Sequence, residues 1–251
     1  MDIGIQTNVN LESNQIGTGW NWNAATAVLT LDSSYPNDGI VINCTPDDTI
    51  NLVLTGNVSI QKTGYTGADR SLWVAGRLNI EAGAYTLNVS SDWSGIRTGG
   101  NLTIKSGTVK ATGNDMTNGI EVSGDIIIKG NSIVEATGDQ DTNGWGGNGL
   151  QAGGDILIDT TGTVNTNGGK GGTFTNGNIT IENGTVTADG GSHSGMTAAN
   201  GIAVTGGTVT TNSTGSANGD VKCNLSVSGS STQVTVNGSI VEDGKGADLI
   251  V

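Results

Sequence analysis

Along most of the chain, apolar and polar residues alternate in short bursts, and the bursts recur. Five stretches share one plan: "GRLNIEAGAYTLNVSSD" from Gly76, "GNLTIKSGTVKATGND" from Gly100, "GDIIIKGNSIVEATGDQD" from Gly124, "GDILIDTTGTVNTNGG" from Gly154 and "GNITIENGTVTADGG" from Gly177. Their starts lie 24, 24, 30 and 23 residues apart. Each unit runs glycine, a polar residue, two apolar residues in alternation, a glycine-containing turn, a second apolar or β-branched pair, then a polar Gly/Asn/Asp loop. A third apolar position stands six residues ahead of the first strand each time: Leu72 before Leu78, Ile96 before Leu102, Ile120 before Ile126, Leu150 before Ile156. Weaker copies continue on both sides, in "DTINLVLTGNVSIQ", "NGIAVTGGTVTTNSTG" and "NLSVSGSSTQVTVNG".

A period in this range means a solenoid or a propeller, and a propeller blade needs roughly 40 residues. A unit near 24 residues with three short strands and no helical period predicts an all-β, single-domain, right-handed parallel β-helix of about seven to nine coils. The apolar positions are Ile, Leu or Val, which suit a pleated, half-buried surface. Alternation such as Leu102 with Ile104, or Ile126 with Ile128, turns one side inward. One coil buries too few apolar side chains to offset the ordering of its own backbone, so it needs neighbours that share its ladder and continue its core. At about 4.8 Å per coil the rod would be roughly 35–45 Å long, and the crossover rule makes it right-handed. Residues 1–27 fit the register poorly and are expected to form an N-terminal cap or first coil, with the parallel β-helix over 28–251.

Stacking would turn repeats into columns. With the second-strand apolar residues Leu87, Val109, Val134, Val164, Val186 and Val209 as origin, Ser90, Thr112, Thr137, Asn167, Asp189 and Asn212 follow three residues on. Asp92, Asn114, Asp139, Gly169, Gly191 and Thr214 follow five on. One corner would then gather Asp92, Asn114, Asp115, Asp139, Asp141, Asn143, Asn167 and Asp189. Like charges at rung spacing repel unless a cation lies between them. Asp139, Asp141 and Asn143, followed by Gly144, also match the opening of an EF-hand loop. The twelfth position is Leu150 rather than Glu and no helices flank it, so the EF-hand match fails. What is left is an oxygen-rich loop in the widened, 30-residue coil. Asp115, Asp139, Asp141, Asn143 and Asp189 are the candidate calcium ligands. The competing reading is that Asn, Asp and Gly recur because turns need them.

Composition narrows the function. The 43 glycines suit sharp corners, and only 2 prolines occur where proline would delete a ladder donor. A formal net charge of −13 argues against nucleic acid and anionic membrane surfaces and favours cations. No run of eighteen apolar residues occurs, so no membrane span is expected. No signal-peptide pattern is visible after Met1. Cys44 and Cys223 fall many rungs apart and are read as unpaired, near-core residues. With His193 the sole histidine, a zinc site is not expected. Five tryptophans stand against one phenylalanine. Trp93 follows Asp92 and Trp145 follows the calcium-like loop. Indoles flanked by Asn and Asp suit sugar rings, which offer an apolar C–H face and hydroxyls. Trp20, Trp22 and Trp73 read instead as corner caps or packing against the rod.

The stretches "GWNWNAATAVLTLD", "INLVLTGNVSI", "GNLTIKSGTV" and "NGIEVSGDIIIKG" resemble the secreted carbohydrate-binding β-helix family of clostridia and related plant-degrading bacteria. That family is itself similar to the pectate-lyase-like right-handed β-helices. The resemblance spans residues 17–236. It implies an exported, surface-associated bacterial protein, calcium at coil corners, and affinity for cellulose or a pectin-like polysaccharide. Residue by residue it carries over only the corner aspartates Asp115, Asp139 and Asp141. A calcium-dependent lyase would need a basic residue to take a proton. Lys170, one coil from the Asp139 loop, is the best placed base, with Arg97 and Lys129 as other basic residues of the repeat. The acidic column could also supply carboxylates to a hydrolase. The loops are short, however, where catalytic clefts on such rods need long ones. The leading expectation is therefore a non-catalytic polysaccharide binder using Trp93, Trp145, Asn143 and Lys170. A structural adhesin stalk or envelope component is the alternative, and a calcium-dependent lyase the second. Ice binding ranks last, because Ile133 interrupts the Thr108, Thr163, Thr185, Thr208 column.

Overall fold

The structure is a computed structural model, and it describes residues 7–8, 11–62, 71–140, 146–213, 221–222, 225–237 and 240–241. It is an all-β solenoid of about 8 turns in which nearly all strand pairs are parallel. Each alternating burst has become a strand, and each repeat has become a coil lying on the next. Leu72, Ile96, Ile120 and Leu150 are direct partners in one column. Leu78, Leu102, Ile126, Ile156 and Ile179 form a second. Leu87, Val109, Val134, Val164, Val186 and Val209 form a third. These are the columns the repeat alignment predicts. The 30-residue coil leaves them undisturbed. Thr137 still faces Asn167, and Ile120 still faces Leu150. One additional residue lies in the turn between Ile128 and Val134, and the others fall in the stretch between Thr137 and Asn148.

Among the described residues the strands form two sheets, one 10-stranded and one 15-stranded. The first consists of short strands such as Ile96–Thr98 and Ile120–Val122. The second contains long strands such as Leu102–Gly113, which fold over at a bulge near Ser106. The cross-section thus has three sides. At the fold-over Gly83, Gly107, Gly130, Gly184 and Gly207 all have φ between 62° and 108°, a region that L side chains avoid. A second glycine column, Gly95, Gly119, Gly149, Gly172 and Gly195, stands immediately before the inward residues Ile96, Ile120, Leu150, Thr173 and Met196. There a Cβ would lie 2.6 Å from Thr137 N at Gly119, 2.6 Å from Asn167 N at Gly149 and 2.7 Å from Asp189 N at Gly172. The backbone of the opposite wall occupies the space at these glycines, whereas one coil earlier the small Ser71 stands at the same position, with its hydroxyl donating to Ser90 O.

The interior is one apolar stack. In a single coil Ile96, Leu102, Ile104 and Val109 are fully buried, and the next coil adds Ile120, Ile126, Ile128 and Val134. Towards the C-terminal half, hydroxyls enter the stack. Thr166 and Thr173 are buried and face each other across the interior at 3.0 Å, which satisfies both. At the N-terminal end the chain changes direction. Gln15–Gly17, Trp20–Asn23 and Val28–Leu31 form an antiparallel meander, and only its last strand pairs in parallel with Thr49–Leu54. Trp22 is buried against the core there and Trp20 packs partly against it. Cys44 is a half-buried free thiol that accepts a hydrogen bond from Gly76 N at 3.1 Å. Burial pushes its pKa up. Cys223 lies outside the described residues.

If the stack is one cooperative core, Ile128→Ala should destabilise the protein by about 2–5 kcal/mol, because Ile128 is fully buried between Ile104 and Ile158. Denaturant titration followed by far-UV circular dichroism reads this. A loss below about 0.5 kcal/mol would show that the coils do not share a core.

Candidate functional site

The acidic corner is less convergent than its columns suggest. Asp139 sits at the root of the widened coil. Its carboxylate oxygen Oδ2 accepts a hydrogen bond from Met116 N at 2.7 Å, which ties it to the neighbouring loop. That loop holds Asp115 and Met116 at φ 52° and 64°, and Asp115 is exposed. The main chain of Asp139 bridges further, with its N–H donating to Thr117 O and its C=O accepting from Gly147 N and Gly169 N. Asp189 does not join this corner. It lies opposite Asn167 and Asn212, and its carboxylate accepts from the Asn212 amide. The coil of Asn167 separates it from Asp139, by about 10 Å along the rod. Among the described residues no three of His, Cys, Asp and Glu converge as a metal-binding group. Asp141, Asn143 and Trp145 lie outside the described residues.

A different surface gathers more chemistry. Each short strand is inward–outward–inward, so its middle residue alone projects outward. Those middle residues are Trp73, Arg97, Glu121, Gln151, Phe174 and Thr197, direct partners in successive coils. All six are half-buried. Arg97 lies over the Trp73 ring, 5.1 Å from its centroid, and within 6.0 Å of the Trp93 ring. Its Nε also meets Glu121 Oε1 at 3.2 Å. The other Glu121 oxygen accepts from Ser94 Oγ at 2.7 Å. One coil further, Asn148 Nδ2 donates to Gln151 Oε1 at 2.8 Å. From Trp73 to Gln151 the stripe is therefore a line of planar groups held by their neighbours.

Beside Phe174 the stripe opens into a cavity of about 220 Å³, lined by Asn148, Lys170, Phe174, His193, Ser194 and Thr197 among others. Lys170 reaches it because its loop stacks on Gly147 below and His193 above, through Lys170 N to Gly147 O (3.1 Å) and His193 N to Lys170 O (2.7 Å). The structure thus brings Trp93 and Lys170 to one face of the rod, at opposite ends of the stripe. It adds Trp73, Arg97, Glu121, Gln151 and Phe174, which the repeat alignment did not single out as a site. Trp73 projects beneath Arg97 rather than closing a corner. A signal for these residues was present. They are the residues immediately after the apolar position that stands six ahead of each first strand. The same interval sets Thr173 inward and Phe174 outward, although Phe is the more apolar of the two.

This architecture defines the class: a parallel β-solenoid with an aromatic and polar stripe along one sheet. Comparison of the chain with protein-family models, curated proteins and solved structures finds no match.

Removing the guanidinium should loosen the Trp73 end of the stripe. Arg97→Ala should cost about 1 kcal/mol of stability and shift the tryptophan emission maximum, whereas Lys110→Ala, whose partner Glu135 lies on the other sheet, should leave the emission unchanged. Superimposable spectra for wild type and Arg97→Ala would mean that the stacked arrangement is not populated.

Proposed function

We propose that the protein is a non-catalytic polysaccharide-binding rod, exported to the cell exterior or surface, and that its binding face is the outer side of the short-strand sheet. The observation that carries this reading is the continuous stripe from Trp73 to Thr197, with the Lys170–Phe174 cavity beside it. Aromatic faces suit the C–H faces of sugars. Amide, hydroxyl and charged groups held by neighbours suit sugar hydroxyls without a large ordering cost on binding. A site of this kind is mixed rather than purely apolar, as ligand sites with defined orientation tend to be. The resemblance to secreted carbohydrate-binding β-helices points the same way.

The test is retention on insoluble polysaccharides, cellulose and pectin among them. Wild-type protein should be retained, and Trp73→Ala and Phe174→Ala should each weaken retention roughly tenfold. Thr103→Ala, on the other sheet, should not. Equal retention of all four proteins would remove this face from the binding surface. No retention of any would favour a purely structural stalk.

Calcium forms the second part of the reading. Asp139 would be one ligand, with Asp141 and Asn143 as the further oxygens the sequence offers. A bound ion stabilises the folded state by mass action, by about 2.7 kcal/mol at a hundredfold excess over its Kd. Thermal unfolding in millimolar calcium should therefore occur at a higher temperature than in EDTA, and Asp139→Asn should abolish the difference. Identical unfolding temperatures with calcium and with EDTA would dispose of the ion.

A further inference from the structure

The cavity at the Phe174 end of the stripe has a chemistry of its own, which does not depend on the polysaccharide reading. We infer that it is a binding site for a small aromatic anion: one planar ring carrying a carboxylate or phosphate group, with the ring against Phe174 and the anionic group between Lys170 and His193.

The sequence opens this space at the coil of Phe174. Two residues ahead of the inward residue of each short strand, successive coils carry Ser94, Asn118, Asn148, Gly171 and Ser194. Ser94, Asn118, Asn148 and Ser194 are buried. Gly171 has no side chain to place there, and an added Cβ would stand 3.0 Å from Asn148 Oδ1 and 3.1 Å from Ser194 O. The same coil reverses the polarity of its short strand. Its neighbours turn Leu150 and Ala152, or Met196 and Ala198, inward and a polar residue outward. Here Thr173 and Thr175 are buried and Phe174 projects out. A ring placed outside while hydroxyls fill the core departs from the pattern of the adjacent coils, and departures of this kind concentrate at functional positions. The cavity measures about 220 Å³. An engineered apolar cavity of about 150 Å³ holds benzene, so one ring fits here with room for a charged substituent.

The charge on the wall selects the ligand. The chain holds 23 Asp and Glu against 10 Lys and Arg, so a basic residue readily finds a carboxylate. Arg77, Arg97, Lys105 and Lys110 each do. Lys170 is half-buried and has no carboxylate partner among the described residues. None of the described residues that line the cavity is Asp or Glu. Lys170 and His193 hold equivalent places on adjacent coils, with His193 N donating to Lys170 O at 2.7 Å, so their side chains start about 4.8 Å apart. When both are charged they repel, and an anion between them turns the interaction favourable. Both loops are fixed. Lys170 N donates to Gly147 O, Ser213 Oγ donates to His193 O at 3.0 Å, and Ser192 Oγ lies 3.0 Å from His193 Nδ1. Thr197 adds a hydroxyl to the same wall. Glu121, two coils away on this face, is neutralised by Arg97.

The test is isothermal titration calorimetry of the full chain with phenyl phosphate and benzoate, set beside inorganic phosphate, benzyl alcohol and galacturonate. Phenyl phosphate and benzoate should bind. Inorganic phosphate and benzyl alcohol each carry half of the recognised chemistry and should bind roughly tenfold more weakly or worse. Lys170→Met should weaken phenyl phosphate about tenfold or more and leave the weaker binding of benzyl alcohol unchanged. Phe174→Ala should weaken phenyl phosphate roughly three- to tenfold and leave inorganic phosphate unchanged. Lys110→Met, on the other sheet, should alter neither. His193 is the sole histidine, so its imidazole proton NMR signals report on the site and should move as phenyl phosphate is added. Unaltered thermal unfolding of the variants separates lost binding from lost folding. Should Phe174→Ala unfold early, the Lys170→Met comparison and the His193 signals decide. No binding of either aromatic anion, binding that Lys170→Met leaves intact, or stationary His193 signals overturns the inference. So does a galacturonate affinity above that of benzoate, which would make the cavity part of the polysaccharide surface instead. Failure of polysaccharide retention leaves the anion site standing, because none of these ligands is a sugar polymer.

Discussion

Every coil in this protein leaves its strand donors and acceptors unsatisfied until another coil lies against it. The parallel ladder is the constraint from which the remaining features descend. Because a ladder of this kind admits no drift, residues about two dozen apart become permanent neighbours. Leu102 sits against Leu78 and Ile126, and Val109 sits against Leu87 and Val134. A one-residue slip would carry the whole apolar set of a strand to the solvent side. The core enforces the ladder, and the ladder aligns the core.

Glycine and the hydroxyl residues follow from the same constraint. Where two walls converge, backbone occupies the place of a side chain, as at Gly119 and Gly149. Where the interior would otherwise hold unpaired polar atoms, they meet each other, as Thr166 meets Thr173. On the outside, the ladder brings side chains of adjacent coils into contact. Lys105 pairs with Glu81 and Lys110 with Glu135, each at 2.7 Å. Such exposed pairs add little stability singly. On the short-strand face the same alignment produces a more buried set, in which Arg97, Glu121, Trp73 and Trp93 support one another.

Much of this was legible in the residues. The six-residue interval from Ile96 to Leu102 and from Leu150 to Ile156 predicted the register, and the structure has that register. The site was less legible, for two physical reasons. Apolar periodicity reports what points inward, whereas the stripe is what points outward, so Glu121, Gln151 and Phe174 were hidden beside the residues that carried the signal. Counting positions from the strand also assumes that every loop keeps the strand's register, and the widened coil does not. Beyond Thr137 the chain leaves the ladder, Asp139 bonds to Thr117 and to Gly169, and Asp189 stays in the strand opposite Asn167. Grouping Asp139 and Asp189 at one corner joins residues that the structure separates by the coil of Asn167.

The central claim is the register itself, and disulfide trapping measures it most directly. In a background carrying Cys44→Ser and Cys223→Ser, Thr103→Cys combined with Ile127→Cys places two thiols at directly opposed, outward positions of adjacent coils. Their separation falls within disulfide reach. Stacked coils predict rapid, near-complete oxidation of this pair under native conditions, and none for Thr103→Cys combined with Lys129→Cys, which is displaced by two residues. Comparable oxidation of both pairs, or of neither, would contradict the stacked register and with it the stripe along the rod.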